Sequence, residues 1–299
     1  MPECLNPRLA YQTYEGEKPH FLTSRDYIEC QKNTTYLTGA KLLLLPCKKC
    51  PNCMANISMD WTSRLVKEAE EWKYCYFATF TYDDSHLFYN VGGLNVRRNV
   101  IDNRTHKQLK RDIQLFLKRL RDDTRLHLKY YFACESGETT NRTHWHAILF
   151  MDSRLDDLVF YGNNLYTSQT LQRSWRNGLI TVSSDVNQRS IRYTIGYTLK
   201  KLGEYKLQLM SKGLGLRYLE DKKEDIKFSN GFYLNNGFLV NPPSYFIRKM
   251  KESSNPDDLK WVEDFENRER GSIKITQTLD DLFLKLVTLP NLKKGKGAF

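Results

Sequence analysis

Apolar residues first take helical spacing after Met54. In NISMDWTSRLVKEAEEW, Ile57, Trp61, Leu65, Ala69 and Trp72 fall mostly four residues apart, which predicts an amphipathic helix with one buried stripe. The aromatic, threonine-rich YCYFATFTY at 74–82 predicts a strand. Residues 83–103, with Gly92–Gly93, read as a loop or small excursion. Helical periodicity returns over 104–122, where Leu109, Ile113, Phe116, Leu117 and Leu120 form the apolar face. LKYYFACE (128–135) and THWHAILFM (143–151) predict two strands, and SGETTNR between them supplies the turn of a hairpin. A short helix around Ser168–Trp175, the turn Asn177–Gly178, the strand LITVSS and a helix over roughly 187–202 follow. Beyond 205 the pattern weakens, and the tail LKKGKGAF reads as flexible and basic. Helices interspersed with strands, two of them joined as a hairpin, predict the α+β class: a central antiparallel sheet flanked by helices.

Charge adds a partner class to this picture. Lys and Arg number 46 against 35 Asp and Glu, a net charge of +11 with a pI near 9.2, which suggests a polyanion, most often nucleic acid. The plain alternative is a generally basic surface. The N-terminal MPECLNPRLAYQTYEGEKPH has no apolar core of a secretory signal, and KLLLLP at 41–46 is far too short to span a bilayer. We therefore expect a soluble protein with no membrane partner. The seven cysteines (4, 30, 47, 50, 53, 75 and 134) then suit thiols or metal ligands better than a disulfide framework. No G-x-x-x-x-G-K-[ST] occurs, so no ATP site is expected.

The candidate chemistry centres on THWHAILF. In a strand, alternation puts His144 and His146 on one face, with Trp145 and Ala147 on the other. Two neutral imidazoles side by side suit a divalent metal; the bland reading is a histidine pair on a half-exposed strand. Glu135, near the end of the expected partner strand, is the preferred third ligand, because strands hold ligands more precisely than turns. Glu138, in the turn, is the alternative. On the helix predicted over 187–202, Tyr193, Tyr197 and Lys200 share one face, while Ile191, Ile195 and Leu199 share another and can serve as its packing stripe. A tyrosine hydroxyl, with a pKa near 10, is a poor nucleophile at neutral pH. It becomes a plausible one when a metal polarises a phosphodiester and a lysine stabilises the developing charge. Taken alone, paired helical tyrosines are more often packing residues.

Cys47, Cys50 and Cys53 form C-x2-C-x2-C, a spacing that fits structural zinc or an iron–sulfur cluster. A closed zinc site needs a fourth ligand from Cys4, Cys30 or a histidine; unligated thiols are the alternative. Lys107, Lys110, Arg111, Lys118 and Arg119 crowd the polar side of the second helix, either as DNA contacts or as a solvated face.

FATFTYDD, CESG, RTHWHAILF and YTIGYTLKK, in that order, resemble the replication initiators of gokushovirus-type microviruses, two-tyrosine members of the HUH endonuclease superfamily. PCKKCPNC before a helix with Trp61 and Arg64, SKGLGLRY (211–218) and PPSYFIRK (242–249) extend the resemblance over most of 40–250. One departure is Thr143, where relatives often have proline, which bears on turn stiffness rather than ligation. The resemblance implies a ferredoxin- or RRM-like sheet in a catalytic domain at 41–205, between an N-terminal extension (1–40) and a C-terminal one (206–299). It implies Mg²⁺ or Mn²⁺ on Glu135, His144 and His146, with the tyrosine pair as nucleophiles and Lys200 beside them. The implied reaction nicks single-stranded origin DNA through a 5′-phosphotyrosine, then transfers the strand. A host helicase, a host polymerase and the host bacterial cytoplasm complete that picture. The competing reading is a non-catalytic, basic nucleic-acid-binding protein with a structural zinc site.

Overall fold

The computed structural model describes residues 4–14, 17–23, 25, 26, 29, 32, 39–83, 86, 105–137, 142–200, 207–235 and 238–272. The chain forms two compact units, Met1–Ile57 with Leu259–Phe299, and Ser58–Asp258.

In the first unit, β1 (Arg8–Gln12) pairs antiparallel with β2 (His20–Phe21) on one side and β3 (Lys41–Leu45) on the other. Helix α1 runs Pro51–Glu70, with residues 51–57 in this unit and 58–70 in the second. It begins six residues before Ile57, the first of the apolar stripe, because Pro51 at its first position has the fixed φ of a helix start and no amide to leave unpaired.

The second unit is built on a seven-stranded sheet. Its strands are β4 (Tyr74–Thr81), β5 (Leu128–Ser136), β6 (Thr143–Met151), β7 (Leu158–Gly162), β8 (Leu165–Ser168), β9 (Ile180–Ser183) and β10 (Gln208–Met210). They lie in the order β10-β5-β6-β4-β9-β8-β7, with every pairing antiparallel. The expected α+β architecture is present. One face is covered by α2 (His106–Thr124) and α3 (Gln169–Trp175), whose Phe116, Leu120 and Trp175 bury against Phe80, Phe132 and Trp145. The other is covered by α1 and by α4 (Gln188–Lys200), whose Leu65, Ile191 and Ile195 pack on Tyr131, Ala133, Ile148 and Phe150. Each large side chain so buried contributes about 2–3 kcal/mol.

Local chemistry explains the boundaries. Thr105 caps α2, with its hydroxyl accepting from the Gln108 amide and the Gln108 side chain accepting from the Thr105 amide. Asn163 (φ 51°) and Asn164 (φ 58°) make the tight β7–β8 turn, a hairpin that the apolar pattern did not announce. At Gly178 (φ 151°) a Cβ would stand 2.3 Å from the Thr81 carbonyl oxygen, so glycine is required where this turn crosses the end of β4.

The remainder of the unit comprises α5 (Leu216–Phe228), the pair β11 (Tyr233–Asn235) and β12 (Phe238–Val240), and α6 (Ser244–Lys251). Here three sequence motifs meet. Arg64 lies over the rings of Trp61 (4.1 Å) and Tyr245 (3.8 Å) and donates to the Leu214 carbonyl. Buried Glu68 accepts from the Gly215 amide (2.6 Å) and the Trp72 indole (2.8 Å) and pairs with Lys129 (2.8 Å). Asp60 accepts from the amide and hydroxyl of Ser244 at the start of α6. The glycines of GLGLRY therefore serve a turn held against α1; a Cβ on Gly215 would sit 3.3 Å from the Arg64 carbonyl oxygen. Helix α7 spans Pro256–Ser272.

Candidate metal centre

Register assembles the centre. Glu135 lies directly opposite His144 across the β5–β6 ladder, and Thr79 lies opposite His146 across the β4–β6 ladder. Glu135, His144, His146 and Thr79 therefore project from one face, the one on which α4 packs. Their neighbours Trp145, Cys134, Ala78 and Phe80 point into the opposite core, and the Trp145 indole donates to the Tyr82 hydroxyl at 3.2 Å.

A carboxylate oxygen of Glu135 and one ring nitrogen each from His144 and His146 all lie within 4.8 Å of one another. Glu135 Oε2 is 3.3 Å from His146 Nε2, and both side chains are largely buried. Thr79 Oγ1 lies 3.2 Å from Nδ1 of the same ring. The tautomer that turns the Nε2 lone pair towards Glu135 is the one in which Nδ1–H donates to that hydroxyl. The Phe77 ring stacks on His146 at 5.8 Å and fixes its plane. Burial, reinforced by His146 alongside and opposed by Glu135, holds the His144 pKa below its usual value. The neutral imidazole is the form a metal accepts. Two nitrogens and a carboxylate oxygen converging from one face fit a divalent ion and leave its other positions open.

Helix α4 carries the nucleophile candidates. The Tyr193 ring packs edge-on to His146 at 5.8 Å and to Phe77 at 6.2 Å, and the residue is 53% exposed. Ile191 and Ile195 are buried as the packing stripe. Residues 197 and 200 lie on the same helix, but the side chains of Tyr197 and Lys200 fall outside the described residues, as does Glu138.

The other candidates lie elsewhere. Lys107, Lys110, Arg111 and Lys118 are exposed on α2, which covers the opposite face of the sheet from the triad. Lys118 pairs with Asp122 at 2.8 Å, and Arg119 donates to the Ser174 carbonyl at 2.6 Å, closing the end of α3. A DNA contact by α2 would be made on the side away from the triad. Cys47, Cys50 and Cys53 gather with Cys4 in the first unit, while Cys30 falls outside the described residues. One residue that matters escaped notice in the sequence: Thr79 lies inside FATFTYDD, where only the strand register reveals its partner. Cys4, one of the expected candidates for a fourth ligand, joins the cluster.

An antiparallel sheet bearing a His-Glu triad beneath a tyrosine-carrying helix defines an α+β protein with a candidate metal centre. The comparisons narrow that class. The family model for replication-associated protein ORF2/G2P matches residues 75–202, which hold the triad and all of α4 with its two tyrosines. Replication-associated protein ORF2 of Spiroplasma virus 4 is 32% identical over 284 residues, covering 88% of this chain and 82% of that one. Replication-associated protein VP4 of Bdellovibrio phage phiMH2K is 28% identical, covering 73% and 70% of the two chains. Replication-associated protein ORF4 of Chlamydia phage 1 is 25% identical, covering 73% and 57%. No solved structure matches. The chain belongs to the replication-associated protein family of these microviruses, as a gokushovirus-type replication initiator. Among the described residues, no helix is long and apolar enough to cross a membrane.

Proposed function

We propose that this initiator is a two-tyrosine HUH endonuclease that starts rolling-circle replication by nicking one DNA strand at the phage origin. The observation that carries this reading is the convergence of Glu135, His144 and His146 within 4.8 Å, with the Tyr193 ring 5.8 Å from that of His146. Glu135, His144 and His146 hold Mg²⁺ or Mn²⁺, with the histidines favouring Mn²⁺ of the two. When bound, the ion polarises the scissile phosphate and offsets the charge that builds on its oxygens. The hydroxyl of Tyr193 or Tyr197 attacks phosphorus, forming a tyrosine O–P bond as the P–O3′ bond breaks. The phenolic proton passes to solvent, the leaving oxygen takes up a proton as a free 3′-OH, and Lys200 stabilises the charge between. The second tyrosine repeats the attack one round later, and the 3′-OH of one strand displaces the first tyrosine to close a circle.

Thr79 and Phe77 act as positioning residues through His146. Without an ATP site in the sequence, strand separation falls to a host helicase, and the new 3′-OH is extended by a host polymerase in the bacterial cytoplasm. The test is nicking of labelled oligonucleotides tiling the genome that encodes the chain. Wild-type protein cleaves one of them with Mn²⁺ and not with EDTA. His144→Ala lowers cleavage by three orders of magnitude or more while leaving the far-UV circular dichroism unchanged. Full cleavage by His144→Ala would overturn the proposal.

A further inference from the structure

We propose that Cys4, Cys47, Cys50 and Cys53 form a closed, structural tetrathiolate zinc site that ties the N-terminal sheet to the first turn of α1. The four sulfurs lie within 4.8 Å of one another, with Cys47–Cys53 and Cys50–Cys4 each 3.9 Å apart. A zinc ion at about 2.3 Å from each of four tetrahedral sulfurs puts those sulfurs about 3.8 Å apart. A four-iron cubane places the body of the cluster between its ligating sulfurs and holds them well beyond the separation seen here. The distances thus choose a single ion, where the C-x2-C-x2-C spacing alone also admitted a cluster. A sulfur–sulfur bond is about 2.05 Å, so neither pair is a disulfide.

The surroundings suit thiolates. Cys47 Sγ accepts from the amides of Lys49 (3.4 Å) and Cys50 (3.3 Å), Cys4 Sγ from the Cys47 amide (3.2 Å), and Cys50 Sγ from the Cys53 amide (3.4 Å). Lys48, in the left-handed region at φ 57°, turns the chain so that two successive amides can face one sulfur. Cys50 immediately precedes α1 and Cys53 lies in its first turn, where the helix dipole favours negative charge. On binding, the four thiols release their protons to solvent, and the doubly negative centre sits beside exposed Lys48 and Lys49. Cys4 arrives because β1 and β3 are antiparallel with Arg8 opposite Leu45, which brings the chain before β1 alongside the chain after β3. A three-stranded sheet with short strands has little core of its own, and a metal staple is how such small structures gain stability.

The test uses the full chain in a His144→Ala/His146→Ala background, so that metal held by the other centre does not count. Expressed with zinc and purified without chelator, it carries one zinc per chain. A mercurial reagent releases that zinc with four thiols consumed per ion. Cobalt put in its place gives an intense thiolate-to-cobalt charge-transfer band, a readout that needs no cysteine variant to fold. Cys4→Ser or Cys47→Ser/Cys50→Ser loses the zinc. Iron with acid-labile sulfide, a protein whose four thiols titrate with no metal released, or zinc that persists in Cys4→Ser would each overturn the proposal.

Discussion

Thr79 pairs through its hydroxyl with Nδ1 of His146 (3.2 Å), while Nε2 of the same ring faces Glu135 (3.3 Å). Its replacement tests whether the orientation matters. Thr79→Val keeps shape and burial but removes the hydrogen bond, so Mn²⁺ affinity measured by calorimetry falls by about 10-fold or more with the fold intact. Unchanged affinity would leave the hydroxyl without a role in ligation. At this scale the sequence was most legible where periodicity of two applies. His144 and His146 share a face, Trp145 packs behind them, and Glu135 stands across the ladder, all readable from alternation and one hairpin. Thr79 was not readable, because its pairing with His146 joins strands separated by 67 positions and nothing local marks it.

At the scale of elements, helices α1 to α4 and the β5–β6 hairpin followed from apolar spacing, with shifts at the ends set by Pro51 and Thr105. The β7–β8 hairpin escaped because Val159, Phe160 and Tyr161 are exposed, so its strands lack a polar–apolar alternation. β6 hid its surroundings for the opposite reason: both faces are covered, and 145–151 is buried throughout, unlike the half-exposed strand that two histidines suggested. Beyond 205, order rests on buried charge as much as on apolar stripes. Asp258, in the first turn of α7, is fully buried against Lys223 (2.7 Å), Lys227 and Ser253 (2.7 Å). Burial alone would push its carboxyl up; the hydrogen bonds from Lys223, Lys227 and Ser253 outweigh that and hold it at about 2. A folded pKa below the unfolded value of about 3.9 adds stability that is present above pH 4 and lost as the pH falls towards 2. Urea unfolding should therefore show Asp258→Asn less stable than wild type by on the order of 2 kcal/mol at pH 6. That gap should close near pH 2; a gap that persists there would mean the charge is not its source.

The whole molecule combines a basic chain, a sheet covered on both faces and a family of phage replication proteins. Net charge suggested a nucleic-acid partner but not where it binds, since α2, with its row of Lys and Arg, covers the face opposite the triad. Which candidate supplies the fourth sulfur was equally illegible, because antiparallel pairing of β1 with β3 brings Cys4 across 43 positions of sequence. What unites these features is the claim that Tyr193 or Tyr197 becomes covalently joined to DNA. The most direct measurement is a denaturing gel of the full chain incubated with Mn²⁺ and end-labelled oligonucleotides tiling its own genome. A labelled band is expected at the mass of protein plus DNA, resistant to detergent, absent with EDTA and absent in Tyr193→Phe/Tyr197→Phe. Cleavage without such a band, salt-sensitive binding with no cleavage, or a band that survives the double substitution would contradict the claim.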